Sequence, residues 1–347
     1  MRPARAAAPS PLVSVLLPVR DAEATLGAAL DSLTAEPGDD LEFVVGDVGS
    51  RDGSPAVARG RAARDPRVVV LTRERAGLVA ALDAGAAACR GEFLCRQDAD
   101  DLSVPGRVRA SAEHLRAHPQ DDLVAARVEV FRDDGPPGLG MARWAAWSNS
   151  LATHADIVRE RFVEAPFAHD AVTLRAAALC AAGGYRDGDF PEDYELWLRL
   201  LARGARFARL PQVGVRVRDH GRRLVRTDPR YRPAAFRALK LAHLRREVLR
   251  PGEPVLVWGG GRVAKSWARD LAAAGVAVAA LVDVNPRRIG RLVHGVPVVA
   301  PEAAGRGGRF GTLLALGAVG QPGGRESVRA QLPALGRREG EDLYFVA

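Results

Sequence analysis

Three carboxylates stand within four positions of the 347-residue chain: Asp98, Asp100 and Asp101, at the end of the apolar run in "GEFLCRQDADDLSVPGR" (91–107). Like charges this close repel, so folding alone gives little reason to gather them, whereas a site that receives a cation does. In an extended strand residues two apart share a face, which predicts Asp98 and Asp100 pointing together and Asp101 away. Two carboxylates at a strand end make a hard, oxygen-only site suited to Mg2+ or Mn2+. Such ions bind through few protein ligands and complete their shells with water and phosphate oxygens. Asp101 reads instead as a cap on the turn before a helix that starts near Val104 and Pro105.

Other chemistry-bearing residues recur along the chain. Asp47 closes an apolar run in "GDVGSRDGS" (46–54), where two glycines lead into a helix and let backbone N–H groups approach a nucleotide. Glu192 and Asp193 open "EDYELWLRLLARG" (192–204), a helix with Tyr194, Trp197, Leu198 and Leu201 as its apolar stripe. A carboxylate there can serve as a general base, although the helix dipole alone also favours acids at that end. In "PQVGVRVRDHGRR" (211–223), Val213, Val215 and Val217 alternate with Arg216 and Arg218, and His220 continues the polar face. That is a strand with one face buried and the other aimed at an anion, or an edge strand guarded by charge.

The elements that must position these residues follow from periodicity. Short apolar runs at 12–19, 41–46, 67–72 and 92–97 read as strands, and 22–33, 54–64 and 77–90 as helices between them. Strict alternation implies a mostly parallel sheet covered on both faces, with ligands beyond the carboxyl ends of its strands. The three aspartates fall at that edge. Residues 106–225 are less regular, with a helix at 105–117, a strand near 122–131 and a Gly/Pro loop at 132–140. The expected organisation is a disordered tail (1–11) and a first domain (12–228) with a nucleotide-binding half (12–105) and an acceptor half (106–228). A linker helix (229–252) and a second α/β domain (253–347) follow.

Composition excludes several classes. Net charge is +8, but the basic residues are almost all arginines, with only Lys240 and Lys265 as lysines. They are scattered, and aromatics make up 5%, unlike a nucleic-acid surface with clustered charge and stacking rings. Cys89, Cys95 and Cys180 form no C-x-x-C pair and suit a reducing cytoplasm. The start "MRPARAAAPSP" lacks an apolar signal core, and no run is long enough to span a bilayer, which leaves peripheral membrane association open.

Taken together, "VSVLLPVRDAEATLGAALDSL", "FVVGDVGSRDGS", "GLVAALDAGAAACRGEFLCRQDADDLSVPGRV" and "PEDYELWLRLLARG" resemble the family-2 glycosyltransferases of the GT-A fold, over roughly residues 12–225. The resemblance implies a metal-dependent, inverting transfer from a nucleotide-sugar to a glycan, lipid-linked sugar or other hydroxyl acceptor, in surface glycan assembly. It implies Asp98 on the nucleoside, Asp100 on a Mn2+ or Mg2+ ion, Asp193 as catalytic base and Glu192 as its supporting acid. It makes His220 a diphosphate and metal contact, and Pro18, Asp47, Arg75 and Arg96 complete the expected nucleotide-sugar contacts. His169 matches an acceptor-half position or serves as a core histidine. The family's second acid after Asp47 is Val48 here, which leaves the base open. No Q-x-x-R-W sequence follows the E-D pair, which favours single addition over processive synthesis. A non-catalytic nucleotide-sugar-binding scaffold is the alternative.

After residue 253, Gly259, Gly261 and Ala264 form G-x-G-x-x-A between a strand and a helix, and Asp283 ends the next strand. That is the setting of a dinucleotide fingerprint, so NAD(H) binding and an NAD-linked activity stand as one reading. The other is a Rossmann-like docking or homo-oligomerisation module that keeps its glycines for close packing.

Overall fold

The computed structural model describes residues 11–73 and 77–347. The chain divides into two compact units, the first formed by 11–157, 166–188 and 192–227, the second by 158–165, 189–191 and 228–347.

The first unit is built on an eight-stranded mixed sheet. Its strands are β1 (Val13–Val19), β2 (Leu41–Val48), β3 (Val68–Arg73), β4 (Phe93–Arg96), β5 (Leu102–Ser103), β6 (Leu123–Phe131), β7 (Val172–Arg175) and β8 (Phe207–Arg218), in the order β3-β2-β1-β4-β7-β6-β8-β5. Strands β1 to β4 pair in parallel, and β7 then runs antiparallel to both β4 and β6. Both faces are covered. Val13, Val15 and Leu17 of β1 pack with Leu26, Leu30 and Leu33 of the helix Glu23–Thr34, while Leu16 between them joins Leu82, Leu196 and Trp197 on the other side. This period-2 division explains why β1 reads as an uninterrupted apolar run.

Three elements differ from the sequence reading. Strand β4 stops at Arg96, so Asp98, Asp100 and Asp101 lie in a turn and strand alternation does not govern them. The helix expected at 105–117 begins at Arg107 and is preceded by Gly106, not capped by Asp101. In β8, Val215 and Val217 are buried but Val213 is 40% exposed, where the pairing with β6 slips register.

The second unit carries a six-stranded sheet: β9 (Val255–Trp258), β10 (Val278–Val282), β11 (Leu292–Val293), β12 (Val296–Val299), β13 (Ala315–Gly317) and β14 (Leu343–Phe345), in the order β11-β12-β10-β9-β13-β14. All neighbours are parallel except the β11–β12 hairpin. The helix Pro233–Glu247, in the segment read as a linker, belongs to this unit. Arg237 donates to Asp270, and the buried Lys240 ammonium donates to the carbonyls of Val163 and Val346 at 2.6 and 3.2 Å. Burial lowers the Lys240 pKa to about 8. No described helix is long and apolar enough to cross a membrane, and the three cysteines are unpaired.

Candidate active site

The turn after β4 gathers its carboxylates around arginines that the chain delivers from elsewhere. Asp98 Oδ1 accepts a hydrogen bond from Arg96 Nη2 at 2.7 Å, and Asp98 Oδ2 lies 3.9 Å from Arg223. Burial works to raise the Asp98 pKa, but the Arg96 and Arg223 guanidiniums outweigh it and hold the carboxyl below its ordinary range. Arg96, expected as a donor contact, is 2% exposed and serves here to fix Asp98. Asp101 is fully buried; it accepts the Arg218 backbone N–H at 2.6 Å and the Arg223 guanidinium at 3.0 Å. Thus it ties the turn to the end of β8. Asp101 also shares a hydrogen bond with Asp170, itself 1% exposed. Burial, then each other's charge or that of Asp98, pushes both carboxyls up. One oxygen each of Asp98, Asp101 and Asp170 lie within 4.8 Å of one another. One part of the expectation is therefore corrected: Asp101 does not point away but lies beside Asp98.

Asp100 faces another partner. Its Oδ2 accepts from His220 Nε2 at 2.7 Å, with the two side chains 27% and 31% exposed. His220 Nδ1 in turn accepts the Arg222 backbone N–H at 3.2 Å, which assigns the ring proton to Nε2. One carboxylate and one imidazole, both partly open, suit an ion that takes most of its shell from water and phosphate. The donor set thus fits Mn2+ or Mg2+.

The E-D pair opens the helix Glu192–Ala202, whose Tyr194, Trp197 and Leu198 are buried; Leu201 is only partly so. Asp193 Oδ1 accepts the Tyr194 N–H at 2.7 Å. Burial first, then the Glu192 and Asp98 carboxylates, push its pKa well above the usual range. His169 lies between the two acid groups: its Nε2 meets Tyr185 Oη at 2.9 Å, and its Nδ1 is 3.9 Å from Glu192. Burial, helped by the charge of Arg96, depresses its pKa and keeps the ring neutral.

The remaining expected contacts are scattered along β1 to β3. Pro18 pairs in register with Gly46, and Asp47, 2% exposed, turns back to accept the Ser50 N–H at 3.2 Å. Arg75 lies outside the described residues. In the second unit Gly261 precedes the helix Arg262–Ala273, Ala264 is buried in it, and Asp283 follows β10. Sequence reasoning missed Asp170, Tyr185 and Arg223. Only the "RDHGRR" charge run hinted at the last.

Comparison with known proteins bears on this geometry. Residues 14–179 match the profile of Glycosyl transferase family 2. Over residues 14–179 the chain is thus similar to family-2 glycosyltransferases. The amylovoran biosynthesis glycosyltransferase AmsE of Erwinia amylovora is 33% identical over 153 residues, 44% of this chain and 54% of that protein. An Escherichia coli enzyme named UDP-Gal:alpha-D-GlcNAc-diphosphoundecaprenol beta-1,3-galactosyltransferase is 29% identical over 142 residues, 41% of this chain and 49% of its own. The chain thus spans about half the length of these curated relatives. Among solved structures, S. aureus TarS 1–349 in complex with UDP-GlcNAc superposes with a TM-score of 0.54 at 16% identity, over 69% of this chain and 68% of that one. That likeness carries the fold: the glycosyltransferase domain has the GT-A architecture of a large mixed sheet between helical layers, and a second sheet follows it.

Proposed function

We propose that this protein transfers a sugar, with inversion, from a nucleotide-sugar to a hydroxyl acceptor in surface-glycan assembly. The observation that carries the reading is the acid at the start of the helix Glu192–Ala202: burial, the Glu192 carboxylate and the charge of Asp98 raise the pKa of Asp193, which puts it in one electrostatic environment with the turn. A donor-binding acid cluster and a base of raised pKa are what inverting displacement at an anomeric carbon requires. Asp193 takes the acceptor hydroxyl's proton as the nucleoside diphosphate leaves from the opposite face. Glu192 keeps the base's pKa high, and neutral His169 fixes Glu192's surroundings without adding charge. Asp98 faces the nucleoside, and Asp47 at the end of β2 borders the base. Asp100 and His220 would hold the divalent ion, which when bound offsets charge on the leaving diphosphate. The substrates in the names of the galactosyltransferase relative and the TarS complex favour a uridine donor, and the former favours a lipid-diphosphate-linked acceptor.

The experiment follows nucleoside diphosphate release from UDP-, GDP- and dTDP-sugars with Mn2+ and lipid-linked acceptors. The expected result is release from one donor by wild type and its loss in Asp193→Asn. Equal turnover by that variant sinks the assignment of the base.

For the second unit, parallel strands in the order third, second, first, fourth, fifth support a Rossmann-like domain. Its glycines have an internal explanation. Gly259 has φ +133°, and a Cβ there would stand 2.7 Å from the Ala318 carbonyl oxygen; a Cβ on Gly260 would run into the Asp283 carboxylate. Asp283, the residue that would bind a ribose, is paired with Arg288 at 2.9 Å. These contacts favour a packing module over NAD(H) binding.

A further inference from the structure

The glycosyltransferase reading leaves one enclosed cation of the site, Arg223, without a role. Arg223 lies five residues beyond β8, with its side chain 14% exposed. Its guanidinium is 3.9 Å from Asp98, 3.9 Å from Asp100 and 3.0 Å from Asp101, and it also donates to the Arg218 carbonyl at 2.9 Å. Asp170 adds a fourth carboxylate beside Asp98 and Asp101, with Oδ2 buried and given no hydrogen bond. The neighbouring cations are committed elsewhere: Arg96 to Asp98, and Arg218 to Asp133 and the Asp100 carbonyl. Arg223 is thus the one guanidinium among these that lies within 4 Å of all three aspartates of the turn.

We infer that Arg223 is the resident cation of this cluster and keeps divalent ions off the Asp98–Asp100 turn until a nucleotide diphosphate brings them in. The inference rests on the donor-site reading and adds an order of binding to it. Two positive charges a few ångströms apart in a poorly solvated site repel strongly. A divalent ion approaching Asp100 alone meets the positive charge of Arg223 standing 3.9 Å from the Asp100 Oδ2 oxygen. An arriving diphosphate supplies enough negative charge for both cations and offers the guanidinium a bidentate partner. Metal and nucleotide then bind as one unit.

The test reads metal uptake, not turnover. The full chain is titrated with MnCl2, free Mn2+ being followed by its EPR signal, alone and with UDP, GDP or dTDP. Wild type is expected to take up Mn2+ at least tenfold more tightly with its nucleotide than without. Arg223→Gln without nucleotide is expected to bind Mn2+ at least tenfold more tightly than wild type. Adding Asp100→Asn should abolish that gain, which separates this site from the surface cluster of His114, His118 and Asp121. Arg223→Lys, which keeps the charge but not the bidentate fork, should match wild type in Mn2+ binding without nucleotide; a purely structural role for the arginine would not produce this pattern. Because Arg223→Gln strands Asp101 and can fail to fold, Asp101→Asn/Arg223→Met is compared with Asp101→Asn alone, with the same tightening expected. Unchanged or weaker Mn2+ binding in the folded variants overturns the inference. So does a wild type that binds Mn2+ equally well without nucleotide. Either result leaves nucleotide binding, and with it the donor-site reading, standing. A wild type that binds no nucleotide even with Mn2+ removes that reading and this inference together.

Discussion

Asp193 and Arg223 show how far a side chain's surroundings decide its use. Asp193 must be ionised to accept a proton, and its pKa stands well above the ordinary 3.8. The acid limb of the rate profile is therefore expected above the usual carboxylate range, with activity rising as pH passes the raised value; kcat measured against pH checks it. A carboxyl raised on folding contributes its stability below 3.8 and loses it as pH rises through the folded value. At neutral pH Asp193→Asn removes that penalty while keeping an acceptor for the Tyr194 N–H. The variant is expected to lose about 10²–10⁴-fold in kcat and to melt at or above wild type. A large drop in Tm would mean that Asp193 is structural. Asp98, Asp100 and Asp193 were legible because each belongs to a motif of adjacent residues. Arg223 and Asp170 were not, because their partners lie some 70 to 125 positions away and only the folded sheet brings them in.

At the scale of elements, the join between the Asp98–Asp101 turn and the end of β8 carries the site. Asp101→Ala would leave the Arg218 N–H without its acceptor and the buried Arg223 guanidinium without its nearest carboxylate. Removing one partner of such a buried pair costs about 3–5 kcal/mol, to be read from urea unfolding. Asp101→Asn keeps an oxygen for the N–H and should cost clearly less. Equal losses would contradict the role given to the backbone hydrogen bond. The strands and helices of the first hundred residues were legible to within one or two positions, because short apolar runs alternate with longer amphipathic stretches and turn residues separate them. The turn was misread for a physical reason: alternation ends where the ladder ends, at Arg96, and the next residues follow hydrogen bonds to β8 instead.

At the scale of the whole molecule, the chain folds as two α/β units. The second was legible as α/β from its apolar runs, but its glycine loop reads alike for ligand and for packing until the partners of Gly260 and Asp283 are known. Gly260→Ala is expected to destabilise the second unit by about 1–3 kcal/mol through overpacking, without changing nucleotide binding. Thermal unfolding and a nucleotide titration on the same variant check both halves.

The measurement closest to the central claim is a calorimetric titration of UDP, GDP and dTDP, each with and without Mn2+, into wild type and Asp100→Ala. The account predicts binding of one nucleotide that depends on both the ion and Asp100. Folded protein that binds none of the three, or binds one equally well after Asp100→Ala, would contradict it.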